Sequence, residues 1–343
     1  MENKQDRNKK ILGLIIKSYI EQAKPISSKL VSRKIGFSSA TIRNIMSELE
    51  EMGYIIHPHT SAGRVPTDKG YRYYVDSIMR KQDFTEDEMT NIKNIYNAKK
   101  ENLEGVIKTT LDLLSTLSEH TAFVLFPFEQ ETGIEHVDFV RIASRKVAVN
   151  LFTDSGLRKS FVIEFEKEIT PDRLEKITKF INEHLRGFTF TEAAQYLNKA
   201  IEKEEKSLSY ISNNIKDIIQ RTIFEFYADS MFWENEYNII NSPEFNSTKK
   251  MKDLLKLFNN KTEIFRIIEQ DLKSSSIKIH IGCQHKDDVL SECTMITSPY
   301  GFNKKTGLFG VIGPMRMEYE RIVPLMEKLS EITNVMIKDI LEY

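Results

Sequence analysis

The sequence predicts a multidomain α+β protein whose N-terminal end is a winged helix-turn-helix. Three observations lead there. The first 83 residues show helical spacings joined by a short turn around "IGFS" and followed by a hairpin-like stretch, "YIIHPHTSAGRVPT". Strand-like pieces then fall into two later groups, with a Lys- and Glu-rich helical stretch between them. Charge is segregated as well: residues 1–83 hold 15 Lys and Arg against 9 Asp and Glu, net +6, while the remainder carries −7 and the whole chain −1. A basic end on an acidic body suits a protein that meets phosphate at one end and stays dissolved through the rest. At 343 residues and 40% hydrophobic, the chain can bury the cores of two or three domains.

The first helix is predicted over "ILGLIIKSYIEQ", where Ile11, Leu14, Ile15 and Tyr19 recur at helical spacing on one broad face. A second, short helix has Ser27 or Ser28 as its cap, Leu30 and Val31 inside and Gly36 as its stop. The third, "SSATIRNIMSELEEMGY", has a core stripe of Ile42, Ile45, Met46 and Leu49, continued by Met52 and ended by Gly53.

At about 100° per residue, the opposite side of the third helix shows Ala40, Arg43, Asn44 and Ser47. These residue types suit base edges: Arg donates twice to guanine, Asn pairs with adenine, and Ala or Ser lets a helix sit close in the groove. Ser39 and Thr41 stand at the helix start, where unpaired backbone N–H groups favour a phosphate. Glu48, Glu50 and Glu51 follow a turn or more later, away from a helix entering by its N-terminus. The same spacing also describes a plain amphipathic helix with a solvated polar face; the preceding helix and short turn favour the duplex.

The hairpin reads as a wing tipped by Ser61, Ala62, Gly63 and Arg64. An exposed guanidinium there would reach the sugar-phosphate backbone or a minor groove. The alternative is a solvated arginine, or one paired with Glu48 or Glu51. Thr67 then caps "TDKGYRYYVDSIM", whose Tyr71, Tyr74, Val75 and Ile78 share a face suited to core or to a domain junction. Lys69 and Arg72 on this helix are candidate phosphate contacts.

Downstream, residues 85–119 are predicted helical with breaks, and "TAFVLFPF" is a buried strand. "HVDFVRIA", "VAVNLFTD" and "RKSFVIEF" read as three strands, residues 171–233 as mostly helical, and 248–272 as a helix pair. "IKIHIG", "CTMITSPY" and "GLFGVIGPM" read as strands before a closing helix over 316–341. The glycines of "GLFGVIG" have neither dinucleotide nor phosphate-loop spacing and suggest close sheet packing. Neither GxSxG nor HExxH occurs, so no catalytic residue, cofactor or enzyme activity is predicted. Cys283 and Cys293 form no CxxC pattern, as reduced thiols of a cytoplasmic protein would not; His280, Cys283, His285 and Cys293 resemble a zinc set only superficially, because alternation in a strand points His280 away from Cys283 and His285. No apolar run is long enough for a membrane span, and the polar start "MENKQDRNKK" lacks the apolar stretch expected of a signal peptide.

"SSATIRNIMSELEEMGYIIHPHTSAGRVPTDKGYRYYVD" resembles the signature block of the heat-inducible transcription repressor family HrcA, and "GLFGVIGPMRMEY" is similar to that family's second characteristic segment. The resemblance implies a winged-helix DNA-binding domain over 1–83 and a GAF-like α/β domain in two parts, 84–135 and 236–343, with a dimerisation domain inserted at 136–235. It also implies a homodimer on a CIRCE-type inverted-repeat operator in double-stranded DNA upstream of chaperone genes, kept active by a chaperonin of the GroE type. The chain departs from the family at "IHIGCQH", where acidic and amide residues usually follow the glycine. Two other functions fit the residues: a metabolite-responsive regulator with a pocket in the GAF-like domain, and a protein-interaction module whose winged helix binds no nucleic acid.

Overall fold

The structure, a computed structural model, describes residues 4–58, 63–99, 102–129, 133–156, 158–165, 168–189, 192–193, 196, 230–282, 290–302 and 305–342. It begins with helices α1 (Lys4–Gln22), α2 (Ser28–Ile35) and α3 (Ser39–Glu51), a ribbon of β1 (Ile55–Ile56) and β2 (Val65–Pro66), and helix α4 (Asp68–Ser77). Apolar residues of the four helices and of β1 meet in one core: Ile11, Leu12, Ile15 and Ile16 from α1, Val31 from α2, Ile42, Ile45, Met46 and Leu49 from α3, Ile55 from β1, and Tyr71 and Tyr74 from α4. The expected continuation of the α3 stripe to Met52 does not hold. Met52 is the C-cap of the helix and is 49% exposed, because the chain turns away at Gly53 before another turn of α3 can face the core.

Two helices, α5 (Glu86–Lys99) and α6 (Leu103–Ser118), lead into a five-stranded antiparallel sheet. Its strands are β3 (Thr121–Glu129), β7 (Met231–Glu234), β8 (Lys278–Ile281), β9 (Cys293–Phe302) and β10 (Lys305–Pro314), in the order β7-β3-β10-β9-β8. Alternation along the strands gives the sheet two apolar faces. Ala122, Val124, Ile296, Phe309 and Val311 join the core shared with α6, the winged helix and the closing helix Tyr319–Leu341. Phe123, Leu125, Met295, Leu308 and Ile312 face a second core, built with helices α8 (Tyr237–Ile240), α9 (Thr248–Asn259) and α10 (Lys261–Ile268). The closing helix is α11.

Between β3 and β7 the chain forms a separate three-stranded antiparallel sheet, β4 (Ile134–Arg141), β5 (Lys146–Thr153) and β6 (Arg158–Glu164), with helix α7 (Pro171–His184) packed on one face. Residues 231–234 are strand rather than the helix the local sequence suggests. They pair with β3 through Met231↔Leu125 to Glu234↔Ala122 and so belong to the five-stranded sheet, not to the three-stranded one. Among the described residues, no helix is long and apolar enough to cross a membrane.

The winged helix is seated on the body. Lys17 pairs with Glu320 at 2.9 Å, Arg316 donates to Ile20 O at 3.4 Å, and Gln82 N–H donates to Glu320 O at 2.9 Å. The Tyr71 and Tyr319 rings meet at 6.1 Å, and burial raises the pKa of both phenols. The tyrosine stripe of α4 is therefore a domain junction.

Candidate nucleic-acid interface

The turn between α2 and α3 is set by local hydrogen bonds. Gly36 takes φ +82°, a left-handed conformation suited to glycine, and its N–H closes α2 onto Ser32 O at 3.0 Å. Ser32 Oγ donates to Phe37 O at 2.6 Å, which holds the turn against α2. Ser38 then starts α3 with extended backbone, its Oγ accepting from Thr41 N–H at 3.1 Å. The two helix starts touch where Ser28 Oγ lies 3.2 Å from Ser39 Oγ.

With Ile42, Ile45, Met46 and Leu49 all under 5% exposed, helical geometry turns Ala40, Arg43, Asn44 and Ser47 outward, and all four are exposed. Arg43 Nε lies a long 3.4 Å from Ser28 Oγ. Thr41 is half-buried and its hydroxyl lies 2.8 Å from Ser38 Oγ, so it acts in the cap. Ser39 is half-buried. Lys29 is exposed and follows Ser28, the residue that touches Ser39 and Arg43. Sequence reasoning did not single it out; its signal is its position at the N-terminus of the helix preceding α3.

Two of the three acids of α3, Glu48 and Glu50, are paired. Glu48 is held by Lys4 at 3.0 Å and by Asn8 Nδ2 at 3.2 Å, and these contacts, the Lys4 hydrogen bond first, keep its carboxyl below the usual carboxylate range. Glu50 receives Arg64 Nη2 at 2.7 Å.

That contact corrects the expected exposure of Arg64. Its side chain is 15% exposed and folds back onto α3, pairing with Glu50 and not with Glu48 or Glu51. The reason lies in the hairpin root: Ile26 and Arg64 exchange both backbone hydrogen bonds, at 2.8 and 2.9 Å, which pins the residue between the lead-in to α2 and the end of α3. Gly63 makes this approach possible, because a Cβ there would lie 2.4 Å from Ile26 O. Residues 59–62, the expected wing tip, lie outside the described residues.

Lys69 and Arg72 also hold partners within the chain. Lys69 Nζ donates to Met52 O at 2.7 Å and lies 5.0 Å from the Tyr54 ring, covering the C-terminal end of α3. Arg72 donates through Nη2 to Ile279 O on β8 and lies 3.8 Å from Asp76, so it faces the body and not open solvent beside α3.

Of the His and Cys residues considered for zinc, Cys283 and His285 lie outside the described residues. His280 Nε2 lies 2.7 Å from Asp271 Oδ2, which also accepts from Thr297 Oγ1 at 2.7 Å. Cys293 is buried, and burial pushes its thiol up. Among the described residues no group of three or more His, Cys, Asp or Glu is placed to hold a metal.

Residues 4–79 match the winged helix-turn-helix transcription repressor, HrcA DNA-binding domain, and residues 104–323 match the HrcA protein C-terminal domain. The chain belongs to the HrcA family. It is 34% identical to a heat-inducible transcription repressor HrcA of Pelotomaculum thermopropionicum over 95% of this chain and 94% of that protein, and 32% identical to one of Geobacter sulfurreducens over 98% and 99%. A crystal structure of a hypothetical protein, 23% identical, aligns with a TM-score of 0.56 over 98% of this chain and 99% of its own, a likeness of fold. Like the family, this chain has a winged-helix DNA-binding domain at its N-terminus, and the exposed stripe of α3 lies within it.

Proposed function

We propose that this HrcA-family chain is a homodimeric repressor of heat-inducible chaperone genes that reads a CIRCE-type inverted repeat with α3 and is modulated by a GroE-type chaperonin. The observation that carries the DNA reading is the exposure of Ala40, Arg43, Asn44 and Ser47 in one stripe. Arg43 presents a bidentate donor for guanine and Asn44 the matched pair for adenine, while Ala40 and Ser47 let the backbone approach the groove. Ser39 and the first N–H groups of α3, with Ser28 and Lys29 beside them, suit a flanking phosphate. Lys69 and Arg72 are left out of this set because their partners lie within the chain.

An inverted repeat requires two recognition helices about 34–36 Å apart, hence a two-fold pair of chains. The three-stranded sheet between β3 and β7 supports the pairing: Val140, Ala148 and Val162 stand side by side in register on its outer face, and Val140 and Val162 are 51% and 52% exposed. In this reading the five-stranded sheet with its helices is the GAF-like body. The experiment is footprinting on chaperone promoters with and without chaperonin. A protected inverted repeat, with protection strengthened by chaperonin, is expected; protection of a single half-site by a monomer would contradict the reading.

A further inference from the structure

We propose that Glu50 competes with DNA phosphate for the Arg64 guanidinium, so that this acid sets how strongly the protein holds duplex DNA of any sequence. The proposal rests on the reading of the winged helix as the duplex-binding part. Arg64 faces two kinds of anion: a carboxylate supplied by its own chain, and the phosphates of a duplex lying along α3. Three features of the hairpin root make it an exchangeable group.

The first is the incompleteness of the present contact. Arg64 reaches Glu50 through Nη2, while its Nε, shielded from solvent, has no hydrogen-bond partner among the described residues. Arg316 shows the complete alternative, with Nε and Nη2 both directed at the Glu244 carboxylate, at 2.5 and 3.4 Å. An arginine engaged on one edge gains donors by turning to a phosphate that accepts two. The second is the fixed backbone. Because Ile26 and Arg64 hold each other by two hydrogen bonds, the side chain exchanges partners by its own torsions and the hairpin root stays in place. The third is position. Glu50 follows Arg43 by seven residues, two turns along the same side of α3, so the pair stands at the end of the exposed stripe. A carboxylate 32% exposed, in a pair open to solvent on one side, binds its arginine weakly enough to be displaced.

The free protein then carries a neutralised Arg64, and a duplex must displace Glu50 before gaining the cation. Non-specific DNA, which offers phosphates and no matched bases, bears this cost without the base contacts that offset it. Because matched sites bear the same cost, Glu50 lowers affinity for every duplex and leaves the ratio between matched and unmatched sites to the α3 stripe.

The test is fluorescence anisotropy of the full chain on a mixed-sequence duplex of about three helical turns, over a salt series. Wild type is compared with Glu50→Gln, Glu51→Gln, Arg64→Ala and the Glu50→Gln/Arg64→Ala double variant. Glu51, exposed and one residue on, reports the general effect of removing a negative charge from this end of α3. Expected are a Glu50→Gln affinity up to about fivefold tighter than that of Glu51→Gln, disappearance of this gain in the Arg64→Ala background, and a salt slope flattened by about 0.9 in Arg64→Ala. A gain no larger than that of Glu51→Gln, a gain that survives Arg64→Ala, or looser binding by Glu50→Gln overturns the proposal and makes the pair a brace for the hairpin. Wild type that binds no duplex even at low salt would defeat the reading of α3 itself, and the proposal with it.

Discussion

Helix α3 and the hairpin behind it both carry residue types suited to DNA, yet the fold treats them differently. The α3 stripe stands open, with Arg43 Nε at a long 3.4 Å from Ser28 Oγ. The hairpin is tied down: its root exchanges backbone hydrogen bonds with Ile26, its arginine folds onto Glu50, and Gly63 has no room for a side chain. In a helix, burying one face dictates which residues are left outside, whereas at a hairpin root a side chain's direction depends on whatever the rest of the chain brings near. An arginine between small residues is thus ambiguous in a way that an arginine opposite a buried stripe is not.

The difference can be broken from the helix side first. Ile42 is fully buried under the stripe, and Ile42→Ala is expected to cost about 2–5 kcal/mol of winged-helix stability. Circular dichroism in denaturant measures it, and a loss below about 1 kcal/mol would mean that α3 is not held by this core. From the hairpin side, Gly63→Ala places a methyl among Ile26 O, C and N at 2.4, 2.5 and 2.8 Å. Backbone must shift to accept it, at about 1–3 kcal/mol, and the same denaturation reads the loss; an unchanged midpoint would show that the Ile26–Arg64 bridge is dispensable. A smaller effect sharpens the comparison. Ser38→Ala removes the α3 cap and is expected to cost about 1 kcal/mol, with faster amide exchange confined to the first turn of α3. Exchange that rises equally in β1 and β2 would instead couple the helix start to the hairpin.

Much of the fold was legible in the residues because periodicity reports burial directly. Ile42, Ile45, Met46 and Leu49 are inside as their spacing requires, and Thr67 accepts the Gly70 N–H as expected of a cap. The misreadings have non-local causes. Residues 231–234 become a strand because β3 lies alongside with an open edge, a circumstance invisible within the segment. Arg72 finds its acceptor 207 residues away, and Arg64 is turned inward by Ile26, 38 positions earlier. Met52 keeps the period of the stripe, but its helix has already ended.

The most direct test of the account is the base preference of Arg43→Ala, measured as affinity for a panel of inverted-repeat duplexes substituted one base pair at a time. The predicted result is a loss of about 1–3 kcal/mol on the parent duplex, with discrimination relaxed at one position in each half-site. Binding to unrelated DNA and thermal stability should stay close to wild type. Unchanged affinity for the parent duplex, or a loss spread evenly over every sequence, would contradict the claim that the outward side of α3 reads bases.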